Sequence, residues 1–469
     1  MVFAKYYNKE EVKENKYLVT NLVFAFFPIS LILGSLIVNI NFLLFCGLGI
    51  FHLRSKILKD QYSVIIKIIF FFFLSIFFSS ALSFVQSLIT NQYTEYELSK
   101  LLKSIIFFRY FLFLVLIYLL NKFDILNFKY FFLLATLSSL LLSVDIIVQY
   151  FVGKNLLGFE SMGIRNPGFF GDEAVAGGYL LRFSFFAIFF SLLIFEDTKY
   201  LKKSLTSVII SILGTGMLLS GNRMPLVLFI FGLFILFLLS PRVRTTILLS
   251  FVILGATFQL TISSNDEMKG SYSSYIESVK SMIFITPPSI QSWNQKKYYK
   301  NDNESVKTKH FFYNVRYQSG HRRLFLTAVD TWKFNKIFGN GIKSFRVDCH
   351  KLGDQNINLE EDIYPGLKNR LCSNHPHNYY FQILTETGIV GLLAILLIML
   401  AFIRFVFNNI KYLKFFNIWN LFLFASVFSL FIEVFPIRST GGLFTTNNTT
   451  YIVMIGSIVL CYKKLLKIK

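Results

Sequence analysis

Acidic residues are scarce in this chain. Only 26 Asp and Glu stand against 47 Lys and Arg, a formal charge of +21 at neutral pH. In a soluble protein that excess would suggest nucleic acid as a partner. Polar cover is scarce too: 54% of the residues are hydrophobic, and 57 of the 469 are Phe. A soluble domain cannot hide so much apolar surface. Apolar runs near 20 residues recur along the chain, so lipid is its solvent. The basic residues then fall mostly in short loops, where they read as an orientation signal. A cleavable leader is not expected either. The first 17 residues are charged and mixed, and no small-residue cleavage site follows Phe24-Ala25-Phe26-Phe27. The first apolar run is therefore expected to stay as a helix. Beyond the apolar bias there is no internal repeat or low-complexity tract.

What is present predicts an all-α, polytopic membrane protein of about 12 transmembrane helices. The spans fall near 18–36, 37–53, 63–84, 103–120, 130–151, 175–195, 204–220, 224–240, 245–262, 387–404, 415–435 and 447–462. The first two share one apolar stretch too long for a single span, with Pro28, Gly34 and Asn39 as turning points. One alternate set of loops carries 21 Lys and Arg, from Lys5 through Arg54, Lys122, Lys199, Arg242 and Arg404 to Lys469. The short loops of the other set carry six: Lys100, Lys103, Lys154, Arg165, Arg223 and Arg438. The asymmetry places both termini in the cytoplasm of a bacterial inner membrane. Ten or fourteen spans would leave the termini on that same side.

In this register residues 263–386 form an external, periplasmic domain between membrane bundles over 1–262 and 387–469. The stretch is too long and too rich in Trp, Tyr and Phe to be a linker. A largely helical domain capping the bundle is expected. Cys349 and Cys372 are its only cysteines, and an oxidising compartment would let them pair. The alternative is two unrelated thiols. Cys46 and Cys461 lie in apolar spans and read as packing.

Four clusters could carry chemistry, all on the external side. In Ser220-Gly221-Asn222-Arg223-Met224-Pro225, Pro225 suits a first helical turn and Asn222 or Ser220 could cap it. Arg223 would face outward at a helix N-terminus, a seat for phosphate; a snorkelling interfacial Arg is the plainer alternative. The second cluster is Ser373-Asn374-His375-Pro376-His377-Asn378-Tyr379-Tyr380, leading through Gln382 and Glu386 to Thr387-Gly388. A neutral imidazole there could accept a proton from an attacking hydroxyl. Metal binding and capping are the rivals, but His-x-His supplies two ligands and no third or fourth is evident. The third is His321-Arg322-Arg323-Leu324, followed by Trp332 and Gly339-Asn340-Gly341. Its arginines could clamp a diphosphate or form a solvated face. The fourth is the Gly-rich loop Gly163–Glu173, with Arg165 and the adjacent acids Asp172 and Glu173. Asp302-Asn303-Glu304 and Glu360-Glu361-Asp362 read as solvated charge runs.

The order of these pieces resembles the O-antigen ligase and polymerase superfamily. The matching stretches are Ser220–Pro225, Arg322–Phe345 and His375–Leu392, with the Phe170–Tyr179 loop similar to a pattern in some members. Together they cover about residues 160 to 405. The family's turn has Ser directly before the Arg, and Asn222 stands there here.

The resemblance implies a metal-independent, inverting glycosyltransferase with a mostly helical, GT-C-like membrane fold and no cofactor. Such enzymes take a glycan from an undecaprenyl-diphosphate carrier on the periplasmic face. The acceptor is lipid A–core in ligases, a second carrier-linked glycan in polymerases, and a protein in some relatives. By the family pattern His377, which directly precedes Asn378, is the base, with His375 second. Arg223 and one of Arg322 and Arg323 hold the diphosphate, with Arg165 and Glu386 carried over beside them. A lipid-linked sugar transporter is the reading from another class. It would place charge at mid-membrane and show repeat symmetry, whereas Arg109, Asp145 and Arg182 are the main charges within spans and Glu433 lies near an outer edge. A non-enzymatic scaffold would not need the Arg and His constellation at all.

Overall fold

The computed structural model describes residues 16–91, 93–194, 199–283, 320–354, 371–414, 417–439 and 441–466. Each apolar run has become a helix, because in lipid a chain must satisfy its backbone groups internally. The first half comprises α1 (Leu18–Ala25), α2 (Phe27–Leu33), α3 (Ser35–Leu53), α4 (Val64–Ile89), α5 (Glu95–Lys122), α6 (Lys129–Val152), α7 (Ala176–Ile194) and α8 (Lys199–Leu219). The second comprises α9 (Arg223–Leu239), α10 (Arg244–Ser264), α11 (Asp266–Ile283), α12 (Gly320–Trp332), α13 (Phe345–Asp354), α14 (Tyr379–Asn409), α15 (Ile418–Glu433) and α16 (Thr446–Leu460). Among the described residues there is no strand, and seven helices are long and apolar enough to cross a membrane. The chain is an all-α polytopic membrane protein.

The long first apolar stretch turns at Gly34, whose φ of 97° suits glycine. The turn folds α1 and α2 back along α3, bringing Phe24 to 5.3 Å from Phe45 and Thr20 Oγ1 to 3.0 Å from His52 Nε2. Aromatic rings then build the interior. Phe27 and Phe42 lie 5.3 and 4.8 Å from Phe113, and Phe128, Phe131, Phe132 and Phe186 surround Phe422. Since lipid offers no hydrophobic drive between helices, close packing must supply the attraction. Small residues permit it: a Cβ on Gly216 of α8 would sit 2.9 Å from Ser143 of α6.

The two loop sets separate to opposite ends of the bundle. One end carries the Lys122–Asp60 and Lys464–Asp124 ion pairs, each at 2.6 Å, and the bond from Arg242 to the Lys414 carbonyl. The other end carries Lys100, Arg165, Arg223 and Arg438, together with α12, α13 and the segment at 371–378.

α14 begins eight residues before the span expected at 387, so the boundary drawn at 386 falls inside a helix. The reason is local. Asn378 caps the helix, its Oδ1 accepting from the amides of Tyr380 (3.0 Å) and Phe381 (3.3 Å). Gly388 does not end α14 but breaks it, with φ 65° and ψ −164°. The groups freed by the break are taken by the Gly339-Asn340-Gly341 turn. The amides of Asn340 and Gly341 donate to the Thr385 and Glu386 carbonyls, each at 3.0 Å. In return the Ile389 and Val390 amides donate to the Lys336 and Ile337 carbonyls at 3.0 and 3.2 Å. The backbones touch so closely that a Cβ on Gly388 would lie 2.2 Å from the Ile337 carbonyl oxygen. These four bonds pair backbone groups on both sides of the break.

Candidate active site

The loop after that turn is held from three sides. Ser79 and Ser80 of α4 accept from the Gly341 and Ile342 amides at 2.9 and 3.1 Å. From α5, buried Lys100 donates to the Asn340 carbonyl at 2.9 Å and Tyr96 donates to the Lys343 carbonyl at 2.7 Å. The buried Glu386 carboxylate of α14 accepts from the Lys343 amide at 2.5 Å and from Gln382 at 3.2 Å. Glu386, carried over from the resemblance, therefore organises the loop beneath the site.

Three histidines meet beside this loop. The His375 and His377 rings lie 4.3 Å apart, and His321 at the start of α12 lies 5.4 Å from His377. His377 adopts a left-handed backbone with φ 55°, a conformation that side-chain-bearing residues seldom hold without cause. What holds it is Asn378, which besides capping α14 donates to the Pro436 and Arg438 carbonyls at 2.8 and 3.4 Å. Both histidines stand before the helix, not in its first turn. Burial keeps the His321 imidazole below its ordinary pKa, which favours its neutral form. Phe325, one turn along α12, stacks on Phe381 at 4.8 Å and docks the helix on α14. Cys349 of α13 is bonded to Cys372, their Cα atoms 5.5 Å apart. Leu324, Ala328, Phe345 and Cys349 form a small core under α12 and α13, with half-buried Cys372 packed against it.

The segment after α15 that receives Asn378 is itself fastened by charge. Glu433 is buried and binds Arg182 through both Nε (3.1 Å) and Nη2 (2.7 Å), and it pairs with Arg438. Tyr379, two residues after His377, donates to the same carboxylate at 2.7 Å. Arg182 and Glu433 thus neutralise each other near the site end. Asp145 takes neutral partners instead, accepting from the Leu156 amide at 2.8 Å and Asn155 at 3.1 Å to hold the loop before α7.

The loops that carry Arg165 and Arg223 form a second interlocking pair. A Cβ on Gly221 would meet the Ile164 carbonyl at 2.4 Å and Arg165 Cγ at 3.2 Å. Asn166 donates to the Leu219 carbonyl at 2.7 Å, while Asn222 accepts from the Gly177 amide at 3.1 Å. Asn222 occupies the N-cap position of α9 without a side-chain cap bond, because its amide is spent across the loops. Ser220 does not cap α9 either; its hydroxyl donates to the Met217 carbonyl at 2.7 Å. Half-buried Arg223 opens α9, its guanidinium 5.9 Å from the Tyr275 ring of α11. Burial raises the Tyr275 phenol pKa and nearby Arg223 opposes that rise. Arg322 and Arg323 are helical residues of α12 directly after His321, with side chains outside the described atoms. The charge runs at 302–304 and 360–362 lie outside the described residues.

Residues 207–396 match the family model described as O-Antigen ligase. That stretch resembles the O-antigen ligase superfamily. No curated protein gives a significant match. The match supports ligase- or polymerase-type glycan transfer in general, lipid-linked glycans as the substrate class and a bacterial membrane as the setting. The O-antigen ligase match spans Arg223, α12, the Gly-Asn-Gly turn, the histidines and the break at Gly388. Arg165, Glu433, Arg438 and the turn at Gly442 lie outside it, yet they touch its loops. His321 was visible as a motif residue but not as a ring beside His377, since only the fold joins positions so far apart in sequence. Arg346 falls outside the matching stretches, and Lys343 lies within Arg322–Phe345 without belonging to its Arg, Trp or Gly-x-Gly signature. They line a cavity of about 260 Å³ with Asn374, His375, Gln382 and Thr445.

Proposed function

We infer that this protein is an inverting, metal-independent glycosyltransferase of the ligase type. It moves a glycan from an undecaprenyl-diphosphate carrier to a hydroxyl of lipid A–core on the periplasmic face of the inner membrane. The carrying observation is His377, held in a left-handed backbone by Asn378 beside two further imidazoles and a cation-lined cavity.

The reaction needs a base, an attacking hydroxyl and a stabilised leaving group. His377 accepts the hydroxyl proton as that oxygen bonds the anomeric carbon. The carbon–oxygen bond to the diphosphate breaks, and its electron pair leaves on the carrier. Arg223, supported by Arg165, and one of Arg322 and Arg323 supply preorganised positive charge for that anion. His375 packs on His377 and orients it. With one base and attack from the opposite face, the anomeric configuration inverts.

Transfer by the purified protein from a carrier-linked donor to lipid A–core, followed by NMR of the new linkage, tests this. Inverted product and activity indifferent to chelators are expected. Retained configuration, or inhibition by chelator that a divalent ion reverses, would overturn it. A lipopolysaccharide gel from a deletion strain identifies the acceptor: loss of all attached chains is expected, whereas a single attached unit means a polymerase.

A further inference from the structure

The loop after α6 presents apolar side chains that the bundle does not cover. Leu156 and Leu157 are 62% and 67% exposed, and Phe159 is exposed too, as are Phe151 and Val152 at the helix end. Lys154 and Glu160 bridge the neck of this loop, their side chains paired at 3.2 Å. The tip between them is Asn155-Leu156-Leu157-Gly158-Phe159. Its one polar side chain, that of Asn155, is buried.

The tip folds back along α6 instead of standing away from it. Gly153 turns the chain with φ 81°. The Leu156 amide then donates to Asp145 Oδ1 at 2.8 Å, and Gln149 donates to the Phe159 and Glu160 carbonyls, each at 3.1 Å. Asp145 and Gln149 are themselves wholly buried. Asp145 stands seven residues before the helix end at Val152, about 10 Å deeper along the axis. Counted from Lys129, where α6 begins, it lies roughly 24 Å along the helix. That is inside a hydrocarbon core of about 30 Å.

Backbone that enters lipid must be paired, because no water is there to satisfy it. The amides of Asn155 and Gly158 donate to the Phe159 and Asn155 carbonyls at 2.9 and 3.0 Å. Those of Leu157 and Phe159 donate to Asn155 Oδ1 at 3.0 and 2.8 Å. With Leu156 on Asp145, every amide of the tip has a partner. The neighbouring face of α6 is exposed in the same way, at Leu137, Leu141, Val144 and Phe151. That is the stripe a spanning helix turns to acyl chains. A soluble partner would meet only what stands above the bilayer, and the tip lies below the helix end.

We propose that residues 155–159 form a membrane-immersed hairpin, with Leu156, Leu157 and Phe159 among the acyl chains of the leaflet at the histidine end. The Lys154–Glu160 neck stays at the headgroups. The partner is the bulk lipid and no substrate, so this surface stands apart from the transfer reaction. The loop runs on to Ile164 and Arg165, which pack against Gly221. The hairpin therefore anchors the loops of Arg165 and Arg223 at the bilayer face.

The full chain, reconstituted in vesicles of phosphatidylethanolamine and phosphatidylglycerol, allows a direct test with nitroxide-tailed phosphatidylcholine as quencher. A polarity-sensitive fluorophore is attached to Leu157→Cys, to Leu141→Cys on the lipid-facing stripe, and to Ser273→Cys at an exposed position of α11. The unsubstituted protein sets the labelling background, since Cys46 and Cys461 are buried and Cys349 is bonded to Cys372. Emission from Leu157→Cys should be blue-shifted to match Leu141→Cys, and the tail nitroxide should quench both severalfold more than Ser273→Cys. Aqueous iodide should do the reverse. Iodide quenching of Leu157→Cys at the level of Ser273→Cys would overturn the proposal. So would shielding from both quenchers, which would mean that protein covers the tip. Adding Asn155→Ala removes the acceptor of two tip amides and should cut the lipid quenching of Leu157→Cys in a protein that still melts cooperatively. Undiminished lipid quenching there would deny that internal pairing admits the tip to lipid.

Discussion

At the residue scale, a few side chains hold the site end in conformations that are expensive to keep. Glu433 is one. Its carboxylate neutralises two guanidiniums in a nearly water-free setting, so Glu433→Gln would leave buried positive charge uncompensated. Removing one partner of such a group costs about 3 kcal/mol or more. The thermal midpoint in detergent should drop by several degrees, and transfer should weaken with it because Tyr379 and Asn378 lose their anchor. An unchanged midpoint would mean that the cluster does not fasten the loop. Arg223 makes a different demand. Arg223→Lys keeps a charge but loses the planar fork, and should still impair transfer. Arg223→Ala should cost more, on the order of 100-fold. Wild-type transfer by Arg223→Lys, in an assay with expression checked, would deny a bidentate role.

At the element scale, the decisive contact is the Gly-Asn-Gly turn lying in the break of α14. Gly388→Ala forces a Cβ into the Ile337 carbonyl at a left-handed position, so it should destabilise the protein by at least about 2 kcal/mol. Gly47→Ala, in a helix with open space at that position, serves as the control and should be neutral or slightly stabilising. Similar melting for both would remove the break from the account. The same contact shows what was legible in advance. The helices were, because apolar runs and the length of a bilayer leave little choice. The two Gly motifs were visible as well, but not as one structure, since they meet through backbone bonds about 50 residues apart in the chain. The early start of α14 followed from that: a helix broken by glycine reads as a helix beginning there. Lys343 and Arg346 were unreadable for another reason, being ordinary basic residues until a third and a fourth element close a cavity around them.

At the scale of the whole molecule, the question is which end of the bundle faces outward. The separation of the loop sets puts the histidines on the side poorer in Lys and Arg, and the positive-inside rule predicts that side to be periplasmic. Labelling in intact cells should therefore modify Ser273→Cys and spare Lys469→Cys; the reverse pattern would invert the topology. The cystine makes a linked demand, because it persists only in an oxidising compartment. Peptide mapping without reductant should recover Cys349 joined to Cys372, which closes a loop contributing about 3 kcal/mol in the chain-entropy model. Two free thiols in native protein would argue against that location.

These scales meet at one side chain. If His377 is the base, His377→Ala should lower transfer from a carrier-linked donor by on the order of 100- to 10,000-fold. Donor binding, measured separately on the same preparation, should be nearly unchanged, and His375→Ala should be milder. Full transfer by a folded His377→Ala protein would contradict the account.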